Sequence, residues 1–302
     1  MTFNDLPILD ELRETITTLG YKEPTPIQSQ VIPLIDQGKD LMAEAHTGTG
    51  KTAAFAWPIL KMIAQHPPKK KKVSVLALVI APTRELALQV GTAFQQYSQG
   101  MKNPLKMAVI IGGEDVRPQT RALRHGVDLV VATPGRLLDF AKQGEIRLFE
   151  LKMFVIDEAD KMLDLGFKEE LAELFTKLPK KRQSLFFSAT LPVKVLNLSE
   201  SLLTDPVKIS TISTKTKELT AESIEQKAIL VDKDRRRALL EHLVKSQKWA
   251  HAIVFVASKR LARNITLKLK RDGLNVIAFH GDLKQEDRVK VLNGSRIERL
   301  ES

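Results

Sequence analysis

Ala45-His46-Thr47-Gly48-Thr49-Gly50-Lys51-Thr52 joins small residues, two glycines and a Lys-Thr pair between a short apolar run and a helical stretch that begins near Lys51. Such a loop curls so that successive backbone N–H groups converge on one point, and the helix N-terminus adds its positive end there. The chemistry is phosphate binding, with Lys51 reaching the β- and γ-phosphates and the Thr52 hydroxyl ligating Mg²⁺. The general pattern has glycine first, where this chain has Ala45. A second set, Asp157-Glu158-Ala159-Asp160, follows the apolar run Met153–Ile156, placing carboxylates at the strand edge where open α/β sheets bind ligands. Asp157 would hold the Mg²⁺ and Glu158 would orient and deprotonate an attacking water. Alone, an acidic strand end is more often a solvated turn. Beside the phosphate loop it makes a nucleotide-hydrolase site.

The elements that must position these residues follow from periodicity. Short Val/Ile/Leu-rich runs at Asp40–Glu44, Val75–Ala81, Lys106–Ile111, Asp128–Ala132, Met153–Ile156 and Ser184–Ser188 each lead through a turn into a stretch with helical spacing, the pattern of a parallel sheet covered by helices. Six such strands predict a doubly wound α/β domain. Phe3–Gln37 reads as two helices separated by an extended piece at Pro24 and Pro26. After Ser210 the texture changes to Thr, Ser, Lys and Glu, a linker. Strand-helix alternation then resumes, with strands predicted at Gln226–Val231, Ala252–Val256 and Asn275–Phe279 and helices at Arg235–Ser246 and Lys259–Asp272.

Composition bounds the function classes. The chain has 302 residues, 43% of them hydrophobic, and carries +11; this is enough for two domains and excludes disorder as the dominant state. Residues 1–210 hold 27 basic and 24 acidic side chains and residues 211–302 hold 20 and 12, so the excess sits mainly in the last third and points to a polyanionic partner. Lys69–Lys72 is a further basic run, read as a solvated loop with weak attraction for phosphates. With no cysteine, disulfides, thiolate metal sites and cysteine nucleophiles are excluded. Asp5, Asp10 and Glu11 stand where a signal peptide would be basic and apolar, and Pro82 stops the longest apolar stretch; a cytoplasmic protein with no membrane partner is expected.

With these residues in place, the chain resembles the bacterial-type DEAD-box ATP-dependent RNA helicases, from Phe3 to about Leu292. Around Asp157-Glu158-Ala159-Asp160 stand, in order, Gly20-Tyr21 with Pro24-Thr25-Pro26-Ile27-Gln28, then Pro82-Thr83-Arg84-Glu85-Leu86-Ala87, Gly112-Gly113, Thr133-Pro134-Gly135-Arg136 and Ser188-Ala189-Thr190. The resemblance implies a RecA-like doubly wound parallel sheet domain followed by a partial second RecA-like domain, with ATP and Mg²⁺ bound in the first. It divides the chain into an N-terminal helical segment with an adenine-reading motif (1–37), an ATP-binding domain (38–210), a linker (211–224) and a C-terminal domain (225–302). It implies that Gln28 reads adenine, with Tyr21 in the same motif, and that Phe3 stacks on the ring; alternatively Gln28 caps the helix. His46 stands where the family more often has Gln, a changed contact in the loop. Pro82, Thr83, Arg84, Gly112, Gly113, Thr133, Pro134, Gly135 and Arg136 would contact the RNA backbone, largely blind to base sequence. Ser188, Ala189, Thr190 and Asp160 would couple the nucleotide to the RNA surface. In the second part, Ile253–Lys259 and His280-Gly281-Asp282 with Gln285 and Arg288 match two further landmarks.

Past Leu292 the resemblance is expected to stop: Asn293–Ser302 contains neither the Ala-Thr-Asp nor the His-Arg-x-Gly-Arg segment whose arginines complete the family's ATP site. A chain lacking that arginine would lose about 10³–10⁵ in rate, so nucleotide binding with impaired turnover is expected of a C-terminally truncated helicase. The rival reading is a non-catalytic RNA- or protein-binding remnant. An unrelated phosphate-loop kinase would leave Gln28 and Ser188–Thr190 as coincidence.

Overall fold

Seven parallel strands form one sheet in the order β3-β4-β2-β5-β6-β1-β7: β1 (Leu41–Glu44), β2 (Ala77–Ile80), β3 (Met107–Ile110), β4 (Leu129–Ala132), β5 (Met153–Ile156), β6 (Gln183–Ser188) and β7 (Val207–Ser210). The structure, a computed structural model, describes residues 2–66, 75–211, 225–247, 249, 251–284, 286–288 and 290–291. The basic run Lys69–Lys72, all of the expected linker but Thr211, Gln285 and Asn293–Ser302 lie outside them. The chain divides into two compact units, Met1–Leu219 and Thr220–Ser302. Among the described residues no helix is long and apolar enough to cross a membrane.

The six predicted strands are all present. The seventh, β7, pairs with β1 from Leu41↔Val207 to Glu44↔Ser210, in a segment whose Lys208 and brevity hid it. Every residue of β2, β4 and β5 is buried, because alternate side chains enter two cores. Ala77 and Val79 join one core with α1 (Asp10–Thr18), α2 (Pro26–Asp36), α3 (Lys51–Gln65) and α4 (Arg84–Tyr97), through Leu12, Val31, Trp57 and Phe94. Leu78 and Ile80 join the other with α5 (Val116–His125), α6 (Pro134–Lys142), α7 (Ala159–Asp164), α8 (Lys168–Phe175) and α9 (Val193–Glu200), through Leu123, Phe140, Met162, Leu171 and Val195. Pro24 keeps the piece before α2 out of the helix, whereas Pro26 opens α2 at its first position, where its missing N–H has no intrahelical partner to lose.

The second unit departs from expectation. Its helices Arg236–Ser246 and Lys259–Arg271 stand where predicted, but none of its three predicted strands is paired among the described residues. Leu269 is the one buried apolar side chain described there, while Leu230, Ile253 and Phe255 are exposed. Parallel strands occur with their faces covered by helices and at least one partner strand beside them, and among the described residues these stretches have neither.

Among the described residues, nearly all buried apolar side chains lie in the first unit. Phe187→Ala, at a fully buried ring 5.4 Å from Phe55, lowers unfolding free energy by about 3–5 kcal/mol. Leu230→Ala, at a fully exposed side chain, changes it by less than about 0.5 kcal/mol. Urea unfolding midpoints check both.

Candidate functional site

The motifs meet along the carboxyl rim of the sheet because each begins where a strand stops, and the ladder runs one residue further. Ala45 N–H bonds to Ser188 O (3.0 Å), Asp157 N–H to Ile80 O (3.0 Å), Ala81 N–H to Ala132 O (2.9 Å) and Thr133 N–H to Ile110 O (3.0 Å). Strand order then sorts them. The phosphate loop, the acidic set and Ser188–Thr190 follow β1, β5 and β6, neighbours on one side. Pro82–Arg84, Gly112-Gly113 and Thr133–Arg136 follow β2, β3 and β4, neighbours on the other.

In the phosphate loop, Gly50 caps α3 with φ +89°, and a Cβ there would overlap Gln28 Nε2; glycine alone meets both demands. Gln28 is fully buried; its Oε1 accepts from Thr25 N–H (3.0 Å) and its Nε2 donates to Gly50 O (3.2 Å). The amide thus caps α2 and also ties the expected adenine motif to the phosphate loop. One donor and one lone pair remain. Lys51 is buried and donates to Ala45 O (3.0 Å) across the loop it closes. Thr49 Oγ1 donates to His46 O (2.8 Å), His46 Nε2 is buried without a hydrogen-bond partner, and Thr52 takes the second position of α3. Phe3 and Tyr21 both set ring edges on Trp57 of α3, at 5.5 and 5.4 Å. The Tyr21 hydroxyl lies 2.7 Å from that of Tyr97, and Arg13 holds Phe3 by donating to its carbonyl at 2.6 Å. Both aromatics therefore reach the loop through α3.

The acidic set is under strain. Glu158 is left-handed (φ +55°) and buried, a conformation a side-chain-bearing residue keeps only when its surroundings impose it. Its Oε2 lies 2.7 Å from Lys161 Nζ, an ion pair that lacks hydrogen-bond geometry and had no sequence signal beyond the spacing of three. Asp157 is 5% exposed and its Oδ1 has no hydrogen-bond partner. Burial pushes its carboxyl up to about 6; Lys51 opposes this and Glu158 adds to it. Asp160 accepts from Thr190 N–H (3.1 Å) and Thr190 Oγ1 (2.8 Å), while its own N–H donates to Ser188 Oγ (3.3 Å). Burial alone would raise the Asp160 carboxyl, but the Thr190, Lys161 and Ser188 hydrogen bonds hold it below its ordinary value. Ala189 lies between the two bonding residues.

On the other half, Thr83 caps α4 by accepting from Leu86 N–H at 3.3 Å. Gly113 has φ +74°, and a Cβ on it would overlap the Arg84 guanidinium, so two of the segments touch. Arg136 donates to Glu114 O at 3.3 and 3.4 Å, bringing in the third; Pro134 and Gly135 form the first turn of α6. Gln119 of α5, buried and bonded to Ile111 and Asp115 on either side of Gly112–Glu114, had no sequence signal, since a glutamine in a helical stretch is ordinary. Within the second unit, Lys259 pairs with Asp282 (2.5 Å) and Arg263 with His280 (3.1 Å), joining the two landmarks expected there.

The DEAD/DEAH box helicase family model matches residues 25–198, and the helicase conserved C-terminal domain model matches residues 234–299. The chain belongs to the DEAD/DEAH box helicase family. It is 39% identical over 96% of its length to the DEAD-box ATP-dependent RNA helicase CshA of Bacillus cereus, covering 54% of that protein. It is 40% identical over 98% of its length to the ATP-dependent rRNA helicase rrp3 of Sclerotinia sclerotiorum, covering 60%. The crystal structure of a DEAD box protein from the hyperthermophile Methanococcus jannaschii superposes with a TM-score of 0.65 at 34% identity, covering 99% of this chain and 78% of that one. The first unit is accordingly a RecA-like α/β domain of this family. The second match runs to residue 299, past Leu292 where the resemblance was expected to stop. The chain spans a little over half the length of the two curated relatives.

Asp157 makes stability depend on pH. Its folded carboxyl titrates near 6 against 3.8 ordinarily, so the folded state holds the proton more tightly. The contribution is full below about pH 4 and is lost as pH rises to about 6, where ionised Asp157 costs about 3 kcal/mol. Asp157→Asn should raise the melting temperature of the ligand-free protein at pH 7.5, with the gap closing toward pH 4. A gap independent of pH would contradict the assignment.

Proposed function

We propose that the chain binds ATP with Mg²⁺ and RNA as an ATP-dependent RNA helicase that remodels or locally unwinds RNA duplexes. The observation that carries this is the sorting of one rim: phosphate loop and carboxylates over β1, β5 and β6, arginines, hydroxyls and glycines over β2, β3 and β4. The halves adjoin where Asp157 N–H bonds to Ile80 O. The proposed organisation is an adenine-reading segment (1–37), the ATP-binding domain (38–210), a linker (211–224) and the helicase C-terminal domain (225–302).

In this reading Lys51 leaves the Ala45 carbonyl for a phosphate oxygen, exchanging a neutral acceptor for an anionic one. The amides of residues 47–51 and the α3 N-terminus face the same phosphates. Gln28 offers adenine its remaining donor and lone pair, and Phe3 stacks on the base. Thr52 and Asp157 fit a metal ion: the orphaned, buried Asp157 Oδ1 is an oxygen that a cation would satisfy, and Mg²⁺ binds through one or two carboxylates plus substrate phosphates. Bound there, Mg²⁺ neutralises phosphate charge. Glu158 exchanges Lys161 for a water and takes its proton. Asp160, held to Thr190 and Ser188, transmits the nucleotide state along β6. Arg84 and Arg136, with the Thr83 and Thr133 hydroxyls and the Gly112-Gly113 amides, take the sugar-phosphate backbone.

Lys51→Ala should weaken binding of a fluorescent ATP analogue by at least about tenfold. Glu158→Gln should retain that binding while RNA-stimulated hydrolysis falls by about 10²–10⁴. Hydrolysis at the parental rate would refute the general-base role, and a parent chain that binds neither ATP nor RNA would refute the function.

A further inference from the structure

One buried amide holds the turn that carries Gly112 and Gly113. β3 is the edge strand of the sheet, paired only with β4. Ile110 directs its carbonyl to Thr133 N–H on the β4 side, so the polar groups of Ile111, the next residue, face the open edge, where no strand can meet them. Gln119 of α5 meets them instead. It is 7% exposed; its Oε1 accepts from Ile111 N–H at 3.0 Å, and its Nε2 donates to Ile111 O at 3.1 Å and to Asp115 O at 3.2 Å. Both amide donors are thereby used, and the turn is pinned at its two ends by a single side chain. Between those ends, Gly113 lies against the Arg84 guanidinium and Glu114 O receives Arg136. Where the turn sits decides where both arginines sit.

We infer that Gln119 is a positioning residue for the RNA surface: it bridges the open sheet edge to the Gly112–Glu114 turn and through that turn sets the spacing of Arg84 and Arg136 along a sugar-phosphate backbone. The inference rests on the RNA-binding reading above. Gln119 acts through backbone groups over β3, so its loss should move the RNA dependence and leave nucleotide binding, built over β1, β5 and β6, in place.

The test compares the parent chain with Gln119→Leu, which keeps the bulk and loses all three hydrogen bonds. It also uses Gln119→Glu, which keeps an acceptor for Ile111 N–H but sets carboxylate oxygen against two carbonyls. The readouts are affinity for a single-stranded RNA oligonucleotide at fixed salt, affinity for a fluorescent ATP analogue, and hydrogen exchange at the Ile111 amide. Both variants should bind the RNA about tenfold or more weakly, as expected when at least one well-placed contact is lost. ATP-analogue affinity should stay within about twofold of the parent. The Ile111 amide should exchange faster in Gln119→Leu. Leu123→Ala, buried on the same helix and making none of these bonds, reports what a loosened α5 does by itself. Parental RNA affinity in the Gln119 variants overturns the inference, as does an equal RNA loss in Leu123→Ala at matched loss of melting temperature. A parent that binds no RNA overturns this inference together with the RNA-binding reading, whereas parental RNA affinity in the Gln119 variants overturns this inference alone.

Discussion

Parallel strands cannot be joined by a tight turn; each must be reached by a crossover that returns the chain to the opposite end of the sheet. The organisation of this protein depends on that constraint. Every strand of the first unit points the same way, so six loops that lie far apart in the chain, from Ala45 to Thr190, start on one rim. The first residues of four of them, after β1, β2, β4 and β5, are bonded to the last residues of neighbouring strands. Loop chemistry is therefore mounted on the most deeply buried part of the molecule, where packing leaves little freedom.

The rim tolerates local costs that the core does not. A left-handed Glu158, an Asp157 oxygen with no partner and a buried Lys51 bonded back to its own loop are each unfavourable by themselves. They cluster where an anion and a cation would relieve them. Next to them the Asp160, Ser188 and Thr190 bonds are well satisfied, which gives the strained residues a rigid backing. The contrast separates strained or unpartnered groups from groups whose hydrogen bonds are filled.

The two sheet edges are treated differently. At one, β7 extends the ladder past β1; at the other, beyond β3, the side chain of Gln119 closes the last pair of backbone groups. An unpaired edge is both an energetic cost and an invitation to pair wrongly. Here one solution also fixes a loop that carries candidate phosphate contacts. The second unit has helices and side-chain pairs, such as Lys259 with Asp282, but no comparable ladder among its described residues.

Residue type and local spacing were sufficient to determine the family and six of the strands of the first unit and to single out the proposed phosphate loop and acidic set, because each is a short-range pattern: a glycine where φ must be positive, carboxylates after an apolar run, alternation with helices. They could not determine what depends on distant neighbours. β7 is a strand because β1 lies beside it, not because Val207–Ser210 favours one strongly. The strand-like runs of the second unit, equally apolar, have no partner and form no ladder among the described residues. Lys161 beside Glu158, Gln28 serving both a helix cap and Gly50, and Gln119 at the open edge are polar side chains whose partners are set by folding. The sequence by itself named the candidate groups; burial and strand order, which are properties of the whole sheet, decided which of them stand together and which partners each holds.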